Sequence, residues 1–158
     1  MKTITREVLA DAARRGVGIA DLTPGQAWAA DSLSLLPERL TPPISSHIVA
    51  LLENIEGKVT REFFASADRD DADSIIRVAH DEAQPMFLRA PILETLREGM
   101  VECLPGLTPS GVNDKGEAVY RLADIAAALD VPEDELLARA EAMGMTDRVE
   151  AGPVHPLH

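Results

Sequence analysis

His80 and Asp81 adjoin at the end of an apolar run, IIRVAHD, and His47 lies 33 residues earlier in a second helical pattern. Imidazole and carboxylate side chains are donors of the kind that hold a divalent cation. On amphipathic helices the same side chains are ordinary surface or interface residues, which is the role expected of His47 and His80. Asp68, Asp70, Asp71 and Asp73 form a second oxygen-rich run. A calcium loop needs acids or amides at its first, third and fifth positions and glycine at its sixth. Counted from Asp68, the third, fifth and sixth are Asp70, Ala72 and Asp73, so the pattern fails twice. Asp71 or Asp73 is expected instead to cap the helix that follows. His155 and His158 stand three apart without further ligands, a weak metal site. The single cysteine, Cys103, excludes an internal disulfide and a thiolate cluster, and its expected place is that of a small buried hydrophobe. No serine sits in a GxSxG turn, and there is no glycine-rich phosphate loop. No catalytic residue, metal or cofactor is expected.

The elements around these residues read as helices. Ile4, Val8, Leu9 and Ala12 predict a first helix ending near Gly16, with Arg6, Arg14 and Arg15 as the one basic cluster. A loop-rich stretch follows, punctuated by Pro24, Gly25, Pro37, Pro42 and Pro43 around a short segment at 28–36. Ile44, Ile48, Leu51, Leu52 and Ile55 repeat at helical spacing, with Thr41 and Pro42 as start and Gly57 as stop. Short helices are then expected around Phe63 and Phe64, around Ile75 and Ile76, and from Pro91 to a close at Gly99. The segment LPGLTPS is a loop that leads into a hairpin turning at 113–116, whose second strand ends at Tyr120 beside the next helix.

The stretch 119–144, VYRLADIAAALDVPEDELLARAEAMG, has the offsets of a helix-turn-helix: a small residue, Ala126, then Asp130 at the turn, Val131, and Leu136 pinning the second helix. Leu122, Ile125, Ala126 and Leu129 make one apolar face, and Leu136, Leu137, Ala140 and Met143 another. These residues resemble the helix-turn-helix core of small bacterial and phage regulators of the winged or excisionase-like kind, a resemblance that covers 26 of the 158 residues. It implies a module in which the second helix reads DNA. The family's turn residue is usually glycine, where this chain has Asp130. Where base-reading residues belong, it has Pro132, Glu133, Asp134 and Glu135, and from Asp124 to Glu150 eight acids face two arginines, a net −6. Such a face repels a phosphate backbone, and carboxylates in a helix's first turn complement its dipole.

Composition agrees with a helical core and an acidic exterior. The formal charge is −12, hydrophobic residues make up 46% and aromatics only 3%, so Ala, Leu, Ile and Val must fill the interior. No apolar run is long enough to span a membrane, and the N-terminal residues lack the apolar core of a signal peptide, so the cytoplasm is the expected location. The expected fold is mainly α: a helical domain with a small β-hairpin and a C-terminal helix-turn-helix-like module. Residues 1–43 are expected as a helix with a loop-rich arm, 44–145 as the helical domain and 146–158 as a flexible tail. The expected function is non-enzymatic, regulation or adaptation through protein contact by Glu133, Asp134, Glu135 and Arg139, with a partner of basic surface and no membrane. Three alternatives stand beside it. One is a DNA-binding regulator using Arg6, Arg14 and Arg15 with Lys115 and Arg121, although the charge disfavours DNA. The second is an acidic inhibitor that mimics nucleic acid. The third comes from the order of His47, His80, Asp81 and Asp124, which resembles the HD-type metal phosphohydrolases and implies a metal-activated water. Homo-oligomerisation is left open by the sequence.

Overall fold

A computed structural model describes residues 3–145 and 153–157 of the chain. Three of the helices begin where a side-chain oxygen takes up an orphan backbone N–H. Thr5 accepts from the Val8 amide at 3.2 Å and starts α1 (Arg6–Arg15). Thr23 starts α2 (Pro24–Ser32) with a full capping box: its hydroxyl accepts from the Gln26 amide at 3.1 Å, and the Gln26 carboxamide oxygen accepts from the Thr23 amide at 3.0 Å. After a 3₁₀ turn (Pro37–Leu40) and the long α3 (Ser46–Ser66), Asp71 starts α4 (Ala72–His80) by accepting from the Asp73 amide, as expected from the sequence. The helices α5 (Met86–Cys103), α6 (Leu122–Leu129) and α7 (Glu133–Ala142) follow, with a two-stranded antiparallel hairpin, β1 (Gly111–Val112) and β2 (Ala118–Val119), before α6. The protein is thus mainly helical with a small hairpin.

Two predicted stops are absent. Gly57 lies inside α3, so Phe63 and Phe64 ride on the same helix as Leu52 rather than on a separate one. Gly99 lies inside α5, which begins at Met86, ahead of Pro91, and runs on to Cys103. Glycine ends a helix by adopting the left-handed conformation, and neither residue does so. Where a helix does end that way, the residue is at positive φ and the next amide reaches back to close the last turn. Gly16 (φ 63°), Ser34 (φ 52°), Asp130 (φ 54°) and Gly144 (φ 68°) fill this position after α1, α2, α6 and α7. The closing bonds are Val17 to Ala12, Leu35 to Ala30, Val131 to Ala126 and Met145 to Ala140, each donor amide within 3.1 Å of its carbonyl.

The chain divides into two compact units, residues 1–95 and 96–158. In the first, α1 packs on α2 and α2 on α3. Leu9, Leu40 and Leu52 are its largest fully buried side chains, and Ala12, Ala27, Ala29 and Ala30 fill the space between the helices. Small side chains let the helix axes approach closely, which suits a sequence almost without aromatics. Most of this core comes from the first 43 residues, where the sequence had suggested an arm beyond the first helix. The signal missed there is T-P-G-Q, a capping box with proline at the first helical position. Arg89 is buried in the same unit, its Nε donating to the Ala79 carbonyl at 2.8 Å.

The second unit is built differently. Among its described residues Ala126 alone is a buried apolar side chain. The hairpin turns as the sequence predicts: Asn113 Oδ1 accepts from the amides of Lys115 (3.0 Å) and Glu117 (2.9 Å), and Gly116 supplies φ 78°. Tyr120 lies just past β2, which ends at Val119. Of the stretch expected as a flexible tail, 146–152 and His158 lie outside the described residues, whereas His155 bridges β1, exchanging two backbone hydrogen bonds of 2.8 Å with Val112. Gly111 permits this approach, because a Cβ there would collide with the His155 carbonyl oxygen.

Candidate functional site

The residues expected to make protein contact lie on α7. Its entry is set by α6, whose last amide bonds are closed by Asp130 in the left-handed conformation (φ 54°, ψ 43°). Two bonds make this turn: the Val131 amide donates to the Ala126 carbonyl at 3.0 Å and the Asp130 amide to that of Ala127 at 3.3 Å. Asp130 therefore takes a conformation that glycine adopts more readily than other residues. Val131 and Pro132 complete the turn, and the Leu136 amide closes the first turn of α7 on the Pro132 carbonyl at 3.1 Å.

Pro132 has no side chain that can accept a hydrogen bond, so the first N–H groups of α7 are left without a side-chain cap. Glu133, Asp134 and Glu135 occupy that turn, where their charge complements the positive end of the helix. All three are exposed, and among the described residues none of them forms an ion pair. Arg139, four residues after Glu135, is exposed on the same helix. The apolar face of α7, Leu136, Leu137, Ala140 and Met143, is only half buried. On α6, Ala126 is buried and Leu122 and Ile125 are half buried, but Leu129, expected on the same face, is exposed. Leu129 sits at the last helical position, next to the residue where the chain leaves the helical path.

The other chemical candidates are dispersed. His47 is exposed in the first turn of α3, and His80 ends α4 with Nδ1 3.1 Å from the Ile76 carbonyl oxygen. Asp81 accepts from the Ala83 amide at 3.0 Å, forming the turn after α4, and Asp124 lies exposed in the first turn of α6. Among the described residues no three His, Cys, Asp or Glu side chains are grouped so as to hold a metal ion. In the aspartate run, Asp68 accepts from the Asp70 amide and Asp71 caps α4, so these two carboxylates organise the backbone. His155 Nε2 lies 2.6 Å from Asp114 Oδ1 across the hairpin turn, while His158 is outside the described residues. Cys103, expected to be buried, is exposed because it ends α5 at the start of a loop. Arg14 and Arg15 both pair with Asp11, at 3.7 and 3.3 Å, which offsets part of the one basic cluster.

No helix among the described residues is long and apolar enough to cross a membrane. Neither a protein-family model, nor a curated protein, nor a solved structure matches the chain.

Proposed function

We propose that the protein is a non-enzymatic regulatory or adaptor protein whose second unit carries a helix-turn-helix-like module used for protein contact, with the first turn of α7 meeting a basic surface. One observation carries the reading: Glu133, Asp134 and Glu135 are exposed together and form no ion pair among the described residues. A cluster of like charge without internal neutralisation repels itself, and a cationic partner relieves that repulsion while steering encounter. The short turn at Asp130 and the small residue Ala126 at the inner face support the comparison with helix-turn-helix modules, and the charge turns the module away from DNA.

The test is capture of proteins from an extract of the native host by wild type and by a Glu133→Gln, Glu135→Gln variant, at low and moderate salt. Loss of one or more retained proteins from the variant at low salt is expected. An identical retained set under both conditions contradicts the proposal.

A further inference from the structure

A cavity of about 430 Å³ lies in the first unit where the end of α3, the body of α4 and α5 come together. Its walls are apolar: Phe63 and Phe64 from the end of α3, Ala67 just past it, Ile75 and Val78 from α4, and Ile92 from α5. Phe63 is buried and meets Phe64 edge-on, with ring centroids 5.4 Å apart, whereas Phe64 is 42% exposed and brings the cavity to the surface. The volume is roughly three times the ~150 Å³ that accepts a benzene, and falls in the range of small-molecule sites.

One charged side chain lines this space. The Arg69 guanidinium stands 5.2 Å from the Phe64 ring centroid. It is held there by the ring face. Three acids adjoin it in sequence, Asp68, Asp70 and Asp71, and among the described residues none of them pairs with it. Asp68 is turned back onto the Asp70 amide at 3.0 Å, and Asp71 onto that of Asp73 at 3.1 Å. An unpaired guanidinium at the mouth of an apolar chamber is complementary to a carboxylate carried on a hydrocarbon body.

We propose that this cavity binds a medium-chain carboxylate, the chain among Phe63, Ile75, Val78 and Ile92 and the head on Arg69. The site shares no residue with the acidic turn of α7 and does not depend on the function proposed for it. The lining residues are spread over the sequence from Phe63 to Ile92, so no motif or helical period marks them.

The test uses the full chain, titrated calorimetrically and by amide NMR with decanoate, decanol and decyltrimethylammonium, each below its micelle concentration. Saturable decanoate binding is expected, tighter than that of decanol and much tighter than that of the ammonium, with amide shifts centred on residues 63–78 and 92. Arg69→Gln, a change at an exposed residue, is expected to weaken decanoate about tenfold and leave decanol unchanged. Ile75→Trp, which fills the chamber, is expected to remove both, and Val78→Phe serves if that variant does not fold. The proposal is overturned by absence of saturable binding to any of the three, by preference for the ammonium, or by equal decanoate affinity in wild type and Arg69→Gln.

Discussion

Arg89 Nε donates to the carbonyl of Ala79 across 2.8 Å, and both residues are buried. The bond ties the start of α5 to the last turn of α4, placing a guanidinium inside a protein whose formal charge is −12. Replacing Arg89 with Met removes the donor and leaves a buried carbonyl without it, which costs about 1–3 kcal/mol. Arg89→Lys is expected to restore only part of this, because an ammonium lacks the planar fork. Urea unfolding of the three proteins checks the order wild type, Lys, Met, and equal midpoints would contradict it.

Arg89 also marks a limit of reading the sequence. Its place between Leu88 and Ala90 fits any amphipathic helix, and only the packing of α4 on the chain before Pro91 makes it interior. Local signals were legible where the physics is local: the Asp71 cap, the end of α1 at Gly16, and the turn at 113–116 all rest on bonds within a few residues. Gly57 and Gly99 misled because a glycine is a stop only in the left-handed conformation, which composition does not reveal. The acidic turn at 133–135 was visible at once as a run of charge, and its exposure adds that the run faces solvent. The cavity beside Arg69 was invisible, since it exists only after three helices meet.

Asp130 occupies a left-handed position, and L-residues other than glycine are strained there by about 1–2 kcal/mol, Asp and Asn somewhat less. Asp130→Gly is therefore expected to raise stability by up to about 1 kcal/mol without changing the turn, and Asp130→Val to lower it. Thermal unfolding monitored by circular dichroism gives the answer. A destabilised Gly variant would mean that the Asp130 side chain itself holds the turn.

Gly16 has φ 63°, and a Cβ on it would lie 3.0 Å from the Met86 carbonyl oxygen and 3.1 Å from Phe87 Cα. Backbone atoms cannot swing aside as a side chain would. Gly16→Ala is expected to cost about 2 kcal/mol or more, from the left-handed strain together with the clash. An Ala variant that unfolds with wild type would show that α1 and the start of α5 do not approach so closely.

Duplex DNA is expected to bind weakly at most. The span from Asp124 to Glu150 carries a net −6, and Arg14 and Arg15 are each paired with Asp11. With 27 acids against 15 Lys and Arg, the chain is poorly suited to displace the counterions of a phosphate backbone, the main source of affinity. Fluorescence anisotropy with labelled random and genomic duplexes near physiological salt checks this. Sub-micromolar, salt-sensitive binding would favour a DNA-reading regulator.

The proposed protein contact requires that the carboxylates of the first turn of α7 face a partner and not only solvent. The most direct measurement is the association rate of a captured partner with wild type and with the Glu133→Gln, Glu135→Gln variant, followed by surface plasmon resonance at low and at near-physiological salt. Slower association by the variant is predicted, with the gap closing as salt screens the charges, and with the unfolding midpoint nearly unchanged. Equal association rates at both salt concentrations would contradict the claim that these residues make the contact.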